Sequence, residues 1–143
     1  QSGYDTRGDE IQQMVGWGSD DWSLGLAHRN AGNSETPAGE ELNTGFRQTS
    51  ATLGRSWTRG NLELDLLAIG SAGRDIGKSN VDFPQRTTVY PEEDHALVRF
   101  AVRSANGWDL SAYAHPNDLE TRVSRSDGRV DTVLNDAIDV GFS

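Results

Sequence analysis

A chain of 143 residues with a formal charge of -9 lacks the basic footprint that nucleic-acid binding needs. It has no cysteine, which removes disulfides, thiolate metal sites and cysteine nucleophiles, and no apolar run of about 18 residues, which removes a transmembrane helix. Only 34% of its residues are hydrophobic, 16 are glycine and the mean hydropathy is -0.64, so its apolar residues are either poorly packed or hidden in alternation, where averages miss them.

The opening Gln1-Ser2-Gly3-Tyr4 has no signal-peptide pattern. Seven strands are predicted after it, over 9–18, 22–32, 46–57, 62–72, 94–104, 108–117 and 131–143. Most reach ten residues. Globular strands average about five or six, whereas a membrane-crossing strand needs about 9–11. Within the second, Trp22, Leu24 and Leu26 alternate with Ser23, Gly25 and Ala27. In the third, Ala51, Leu53 and Trp57 share a face with Arg47 and Arg55, near opposite ends, where long basic side chains can snorkel. In the fourth, Leu62, Leu64 and Leu66 alternate with Glu63 and Asp65. The fifth sets Val98, Phe100 and Val102 against Arg99, Ala101 and Arg103, and the sixth sets Trp108, Leu110, Ala112 and Ala114 against Asp109, Ser111, Tyr113 and His115. The seventh alternates Ile138, Val140 and Phe142 with Ala137, Asp139 and Gly141. Period two is the strand signature. An apolar face so built suits a sandwich core or the lipid side of a barrel equally well.

The connections favour the barrel. Short turns at 19–21, 58–61 and 104–107 alternate with long polar loops predicted over 33–45, 73–93 and 118–130, the asymmetry of outer-membrane barrels. All four tryptophans, Trp17, Trp22, Trp57 and Trp108, sit beside short turns on the apolar faces, which predicts an interfacial aromatic girdle. The expected fold is therefore all-β: an antiparallel up-and-down meander of about seven long strands, part of a transmembrane β-barrel. Residues 1–143 are read as one barrel segment with no plug domain.

Four stretches resemble the barrel of TonB-dependent outer-membrane receptors. They are Ala72-Gly73-Arg74-Asp75-Ile76-Gly77-Lys78 leaving one strand, Val89-Tyr90-Pro91-Glu92-Glu93-Asp94-His95 entering the next, the hairpin Asn61-Leu62-Glu63-Leu64, and Asn117-Asp118-Leu119-Glu120-Thr121-Arg122. The resemblance spans nearly the whole chain as an interior slice of the barrel. It implies location in the bacterial outer membrane and active uptake of a ferric siderophore, cobalamin or similar nutrient. It also implies contact with outer-membrane lipid and with the rest of the barrel and plug, and TonB engagement only through that plug. Bacterial single-chain barrels have even strand counts, so an eighth strand is expected near Tyr4–Arg7 or from another chain. The alternatives are a small passive porin-like barrel and a soluble all-β ligand-binding module.

Side-chain chemistry adds little. His28, His95 and His115 have no metal-ligand spacing. The pairs Asp20-Asp21, Glu40-Glu41 and Glu92-Glu93 lack a calcium-loop pattern. Nothing resembles a nucleophile elbow, so no catalytic residue, metal or cofactor is expected. Glu63, Asp65, Arg99, Arg103 and Asp109 are expected to face the lumen. Arg74, Lys78, Arg86 and Tyr90, placed in the longest predicted loop, are the candidates for contact with an anionic ligand.

Overall fold

The computed structural model describes residues 2–5, 9–80 and 82–143. Within them the chain forms strands and no helix. The strands are β1 (Ser2–Asp5), β2 (Glu10–Gly18), β3 (Trp22–Ala31), β4 (Ser34–Glu35), β5 (Glu41–Leu42), β6 (Phe46–Arg59), β7 (Leu62–Lys78), β8 (Arg86–Ser104), β9 (Asp109–Arg125) and β10 (Val130–Phe142). Eight of them form one antiparallel meander ordered β1-β2-β3-β6-β7-β8-β9-β10, and β4 and β5 make a separate small hairpin. All pairings are between sequence neighbours in that order, and β1 and β10 are not paired with each other. The eighth strand is β1, which pairs Tyr4 with Ile11. Thr6 and Arg7, the other end of that expected strand, lie outside the described residues.

Three strands run much further than predicted. β7, β8 and β9 have 17, 19 and 17 residues. The predicted loops 73–93 and 118–130 are therefore largely strand. Their connections shrink to 79–85 and 126–129, and the rule of alternating short and long loops survives only in the 32–45 connection. Polar residues and prolines made these extensions look like loops. Pro91 sits in a β-bulge, where β8 gains one residue against β9 between Val89 and Glu93. Proline cannot donate to the ladder, and a bulge is where it is tolerated. Pro116 stands inside β9. It keeps its place opposite Ile138 of β10, while the β8 ladder is interrupted from Asn117 to Ala114.

The turns at the opposite end are tight. Gly60-Asn61 links β6 to β7 with φ +65 at Gly60, the left-handed first position that a two-residue hairpin favours. Asp75 also has positive φ (52), a conformation that aspartate tolerates better than most residues. Its carboxylate meets Arg47 on the neighbouring strand.

Register fixes the two faces. One face carries Val15, Leu26, Ala51, Gly70 and Ala96 in one row, then Trp17, Leu24, Leu53, Ala68, Val98, Ala114 and Val140 in the next. The other face carries Ser23, Gly25, Thr52, Gly54, Asp65, Arg99, Ala101 and Asp139, with Leu67, Ile69 and Leu97 as apolar exceptions. Among the described residues no second layer packs on either. Among the described residues no hydrophobic side chain is buried.

Candidate functional site

The largest chemical feature is the uncovered apolar face. Leu24, Leu26, Val98, Leu110, Ile138 and Val140 are 47–71% exposed. Isolated exposed leucines are ordinary, but a contiguous apolar face across eight strands marks a surface that something else covers.

The four tryptophans lie on this face along an inclined line. In the row of Trp17 the later strands contribute Leu24, Leu53 and, on β9, Ala114. Relative to that row Trp22 is two residues nearer the tight turns, Trp57 four and Trp108 six. From Trp17 to Trp108 the fall is about 20 Å along the strands over about 24 Å of sheet, a mean inclination of about 40°, steeper from β2 to β6 than from β6 to β9.

Arg55 interrupts the apolar face between two of these indoles. Its guanidinium carbon lies 4.6 Å from the Trp22 ring centroid and 4.8 Å from that of Trp57. Sequence reading placed it near the interface but missed this clamp. The signal was register: Arg55 stands opposite Trp22 and two residues from Trp57.

At the far end of the same face, charged residues return. Asp94, Asp118 and Asp136 stand in one row across β8, β9 and β10. Arg74 donates to both oxygens of Asp94, one of them at 3.0 Å, and lies 4.0 Å from Glu92. Arg74 thus already has its anions.

The four predicted ligand residues are not one cluster. They lie on strands and not in a loop: Arg74 and Lys78 on β7, Arg86 and Tyr90 on β8. Lys78 and Arg86 both line a 450 Å³ cleft between the β4–β5 hairpin and the β7–β8 tip, with Glu40, Glu41 and Asn43. Arg74 and Tyr90 are not part of its lining. Arg86 stacks on Phe83, 5.5 Å from the ring centroid. Asn43 holds the wall in place: its Nδ2 donates to the Thr88 carbonyl at 2.7 Å. Gly77 makes this approach possible, since a Cβ there would fall 2.8–2.9 Å from the Asn43 backbone, and its N–H donates to the Gly45 carbonyl at 2.8 Å.

The polar face carries networks. Glu63 accepts from Arg103 at 3.0 Å, and Asp65 accepts from Ser56 at 2.6 Å. His95 and His115 stack at 6.1 Å between ring centroids, with Glu93 3.0 Å from His95 and Asp139 3.9 Å from His115. Among the described residues no group of three or more His, Asp or Glu side chains is arranged to hold a metal ion. At the β9–β10 tip, hydrogen bonds from Arg125 and Arg129 hold the Asp131 and Asp127 carboxyls below their ordinary values.

Comparison with protein-family models, with curated proteins and with solved structures finds no match to this chain.

Proposed function

We propose that this chain is part of the wall of a transmembrane β-barrel in a bacterial outer membrane, of the TonB-dependent receptor type, serving uptake of a ferric siderophore, cobalamin or similar nutrient complex. The observation that carries the reading is the single sheet with one continuous, uncovered apolar face edged by an inclined line of tryptophans. Barrel strands tilt by about 35–45°, and the line of indoles makes about 40° with the rows of the sheet. From Trp57 to Arg47 on β6, and from Trp108, just before β9, to Asp118 on that strand, ten residues separate aromatic rim from charged rim. That is about 33 Å of strand, or about 25 Å of height at this tilt, the height of a barrel's outer apolar band.

The excess length of β7, β8 and β9 then projects beyond the band on the side away from the tight turns, which makes that side extracellular. The Lys78–Arg86 cleft lies there, at the end of the wall where a nutrient complex would arrive. Two of the resembling stretches, at 72–78 and 89–95, form the facing arms of this projection. The chain contributes wall and part of a recognition surface, and energy coupling belongs to a plug. The polar face becomes the lumen, where His95, His115 and the Glu63–Arg103 pair are bathed in water or touch that plug.

Two measurements test the reading. The chain refolded with phosphatidylcholine vesicles should float with them through a density step, and its tryptophan emission should be quenched more by lipids brominated near the headgroup than near the acyl terminus. A chain that stays in the aqueous fraction, unquenched, would sink the wall reading. Loss of labelled siderophore or cobalamin uptake on deleting the parent gene tests transport.

A further inference from the structure

The rim of the apolar face beside the tight turns carries an unusual charge pattern. The protein has a net charge of -9, yet the charged strand residues at this rim are Arg55 and Arg59, both cationic, on either side of Trp57. The opposite rim is mixed and weighted to acid, with Arg47, Arg74, Glu92, Asp94, Asp118 and Asp136. Arg55 is held between Trp22 and Trp57, and its Nε is cut off from solvent with no hydrogen-bond partner. Among the described residues no carboxylate lies within ion-pair distance of it; Asp21, in the adjoining turn, is tied instead through its backbone carbonyl, which accepts from the Ser56 N–H at 2.9 Å.

With ring centroids 4.6 and 4.8 Å from its central carbon and its Nε sealed from solvent, the guanidinium has its two terminal nitrogens left to meet a ligand. That planar fork matches the oxygens of a phosphate, whereas a compact ammonium would not stack. Beside it in the same row lie Leu66 and Phe100, and two residues further from the turns on its own strand lies Leu53, a surface for acyl chains.

We propose that Arg55, clamped by Trp22 and Trp57, binds the phosphate of a phospholipid headgroup at the turn-side rim of the apolar face. The proposal rests on reading that face as lipid-covered. The phosphate supplies the missing counterion, the two indoles hold the fork, and the acyl chains run along the leucines. Arg59, one step nearer the turns, adds attraction without the clamp.

The test uses the 143-residue chain refolded in dodecyl maltoside, a detergent without phosphate. Dioleoylphosphatidylglycerol, dioleoylglycerol and inorganic phosphate are titrated separately, with retained ligand read by native mass spectrometry and by tryptophan emission. Wild type should retain the phosphatidylglycerol and neither of the other two. Arg55→Gln should weaken retention about tenfold or more, the loss expected for a charge-assisted contact. Arg55→Lys should recover part of it, and Arg59→Gln should change it little. Circular dichroism certifies that each variant is folded, and Arg55→Lys carries the comparison if Arg55→Gln is not. Phosphatidylglycerol retention unchanged in the folded Arg55 variants overturns the site. Equal binding of inorganic phosphate by wild type overturns the lipid assignment. Flotation of the same variants on phosphatidylcholine vesicles is scored separately: its failure in wild type sinks the underlying lipid-face reading, while normal flotation with Arg55-independent retention sinks only this proposal.

Discussion

Val98 offers the sharpest discrimination between a lipid-covered face and a surface in water. It stands on β8 between Ala68 and Ala114, four residues from Asp94 and six from Ser104, near the middle of the apolar band. Its side chain is 47% exposed. In water, arginine at such a position changes stability by no more than about 0.5 kcal/mol. Facing hydrocarbon at mid-depth it costs about 2–4 kcal/mol, a shift in the folding equilibrium of roughly 30- to 700-fold. The control is Thr52→Arg. Thr52 is exposed on the opposite face, paired with Gly25 and Ile69, with room beside the glycine and water within reach. Denaturant titrations in phosphatidylcholine vesicles, followed by tryptophan emission, should show Val98→Arg destabilised by about 2–4 kcal/mol and Thr52→Arg by less than about 1 kcal/mol. If the two variants fall within about 0.5 kcal/mol of each other, the apolar face does not meet lipid and the assignment of faces is wrong.

Gly77→Ala should detach the 32–45 connection, because the new Cβ would meet the Asn43 backbone at 2.8–2.9 Å. The cost should be that of overpacking, about 1–3 kcal/mol, read as lost amide protection at Thr44, Gly45 and Gly77, while Gly70→Ala, with nothing within 4 Å, should leave those amides unchanged. The β9–β10 tip should loosen in acid. Asp127 and Asp131 have folded pKa values lowered from 3.8 by Arg129 and Arg125, so their stabilising contribution is complete above 3.8 and fades as pH falls through the lower folded values. Amide protection factors across 125–131, taken against the intrinsic exchange rate at each pH, should fall in that window and stay level above it, and the fall should vanish in Asp131→Asn combined with Asp127→Asn.

How legible all this was in the sequence varied with the kind of signal. Alternation placed Trp22, Leu24 and Leu26 on one face, and Leu62, Leu64 and Leu66 with them, because a half-covered strand writes its period directly. The tips failed. Beyond Ala72 and before Asp94 apolar residues are too sparse to alternate, Ile76 and Tyr90 standing opposite each other among Arg74, Lys78, Thr88 and Glu92, and Pro91 adds a loop signal that is really a bulge. The same blindness scattered the ligand candidates: taken as one loop, Arg74, Lys78, Arg86 and Tyr90 seemed neighbours, but register sends Arg74 to Asp94 and only Lys78 and Arg86 to the cleft. Arg55 was visible as a charge on an apolar face, yet its clamp needs cross-strand register, which no single-strand pattern contains.

Register also bears on what kind of surface covers the apolar face. The tryptophans keep to the ends of their strands at the tight turns: Trp17 is one residue from the end of β2, Trp22 opens β3, Trp57 is two residues from the end of β6 and Trp108 immediately precedes β9. A soluble sheet packed with strands aligned within about 30° would meet the same rim, so the contrast between Val98→Arg and Thr52→Arg is what decides between it and a bilayer interface, which indoles prefer. The outer edge of β10 sets a further requirement. Its thirteen residues pair on one side only, with β9, and unpaired backbone groups in hydrocarbon cost several kcal/mol each. Within a bilayer β10 therefore needs a partner strand along its length, which a second copy of the chain can supply when the chain is refolded by itself with vesicles or detergent.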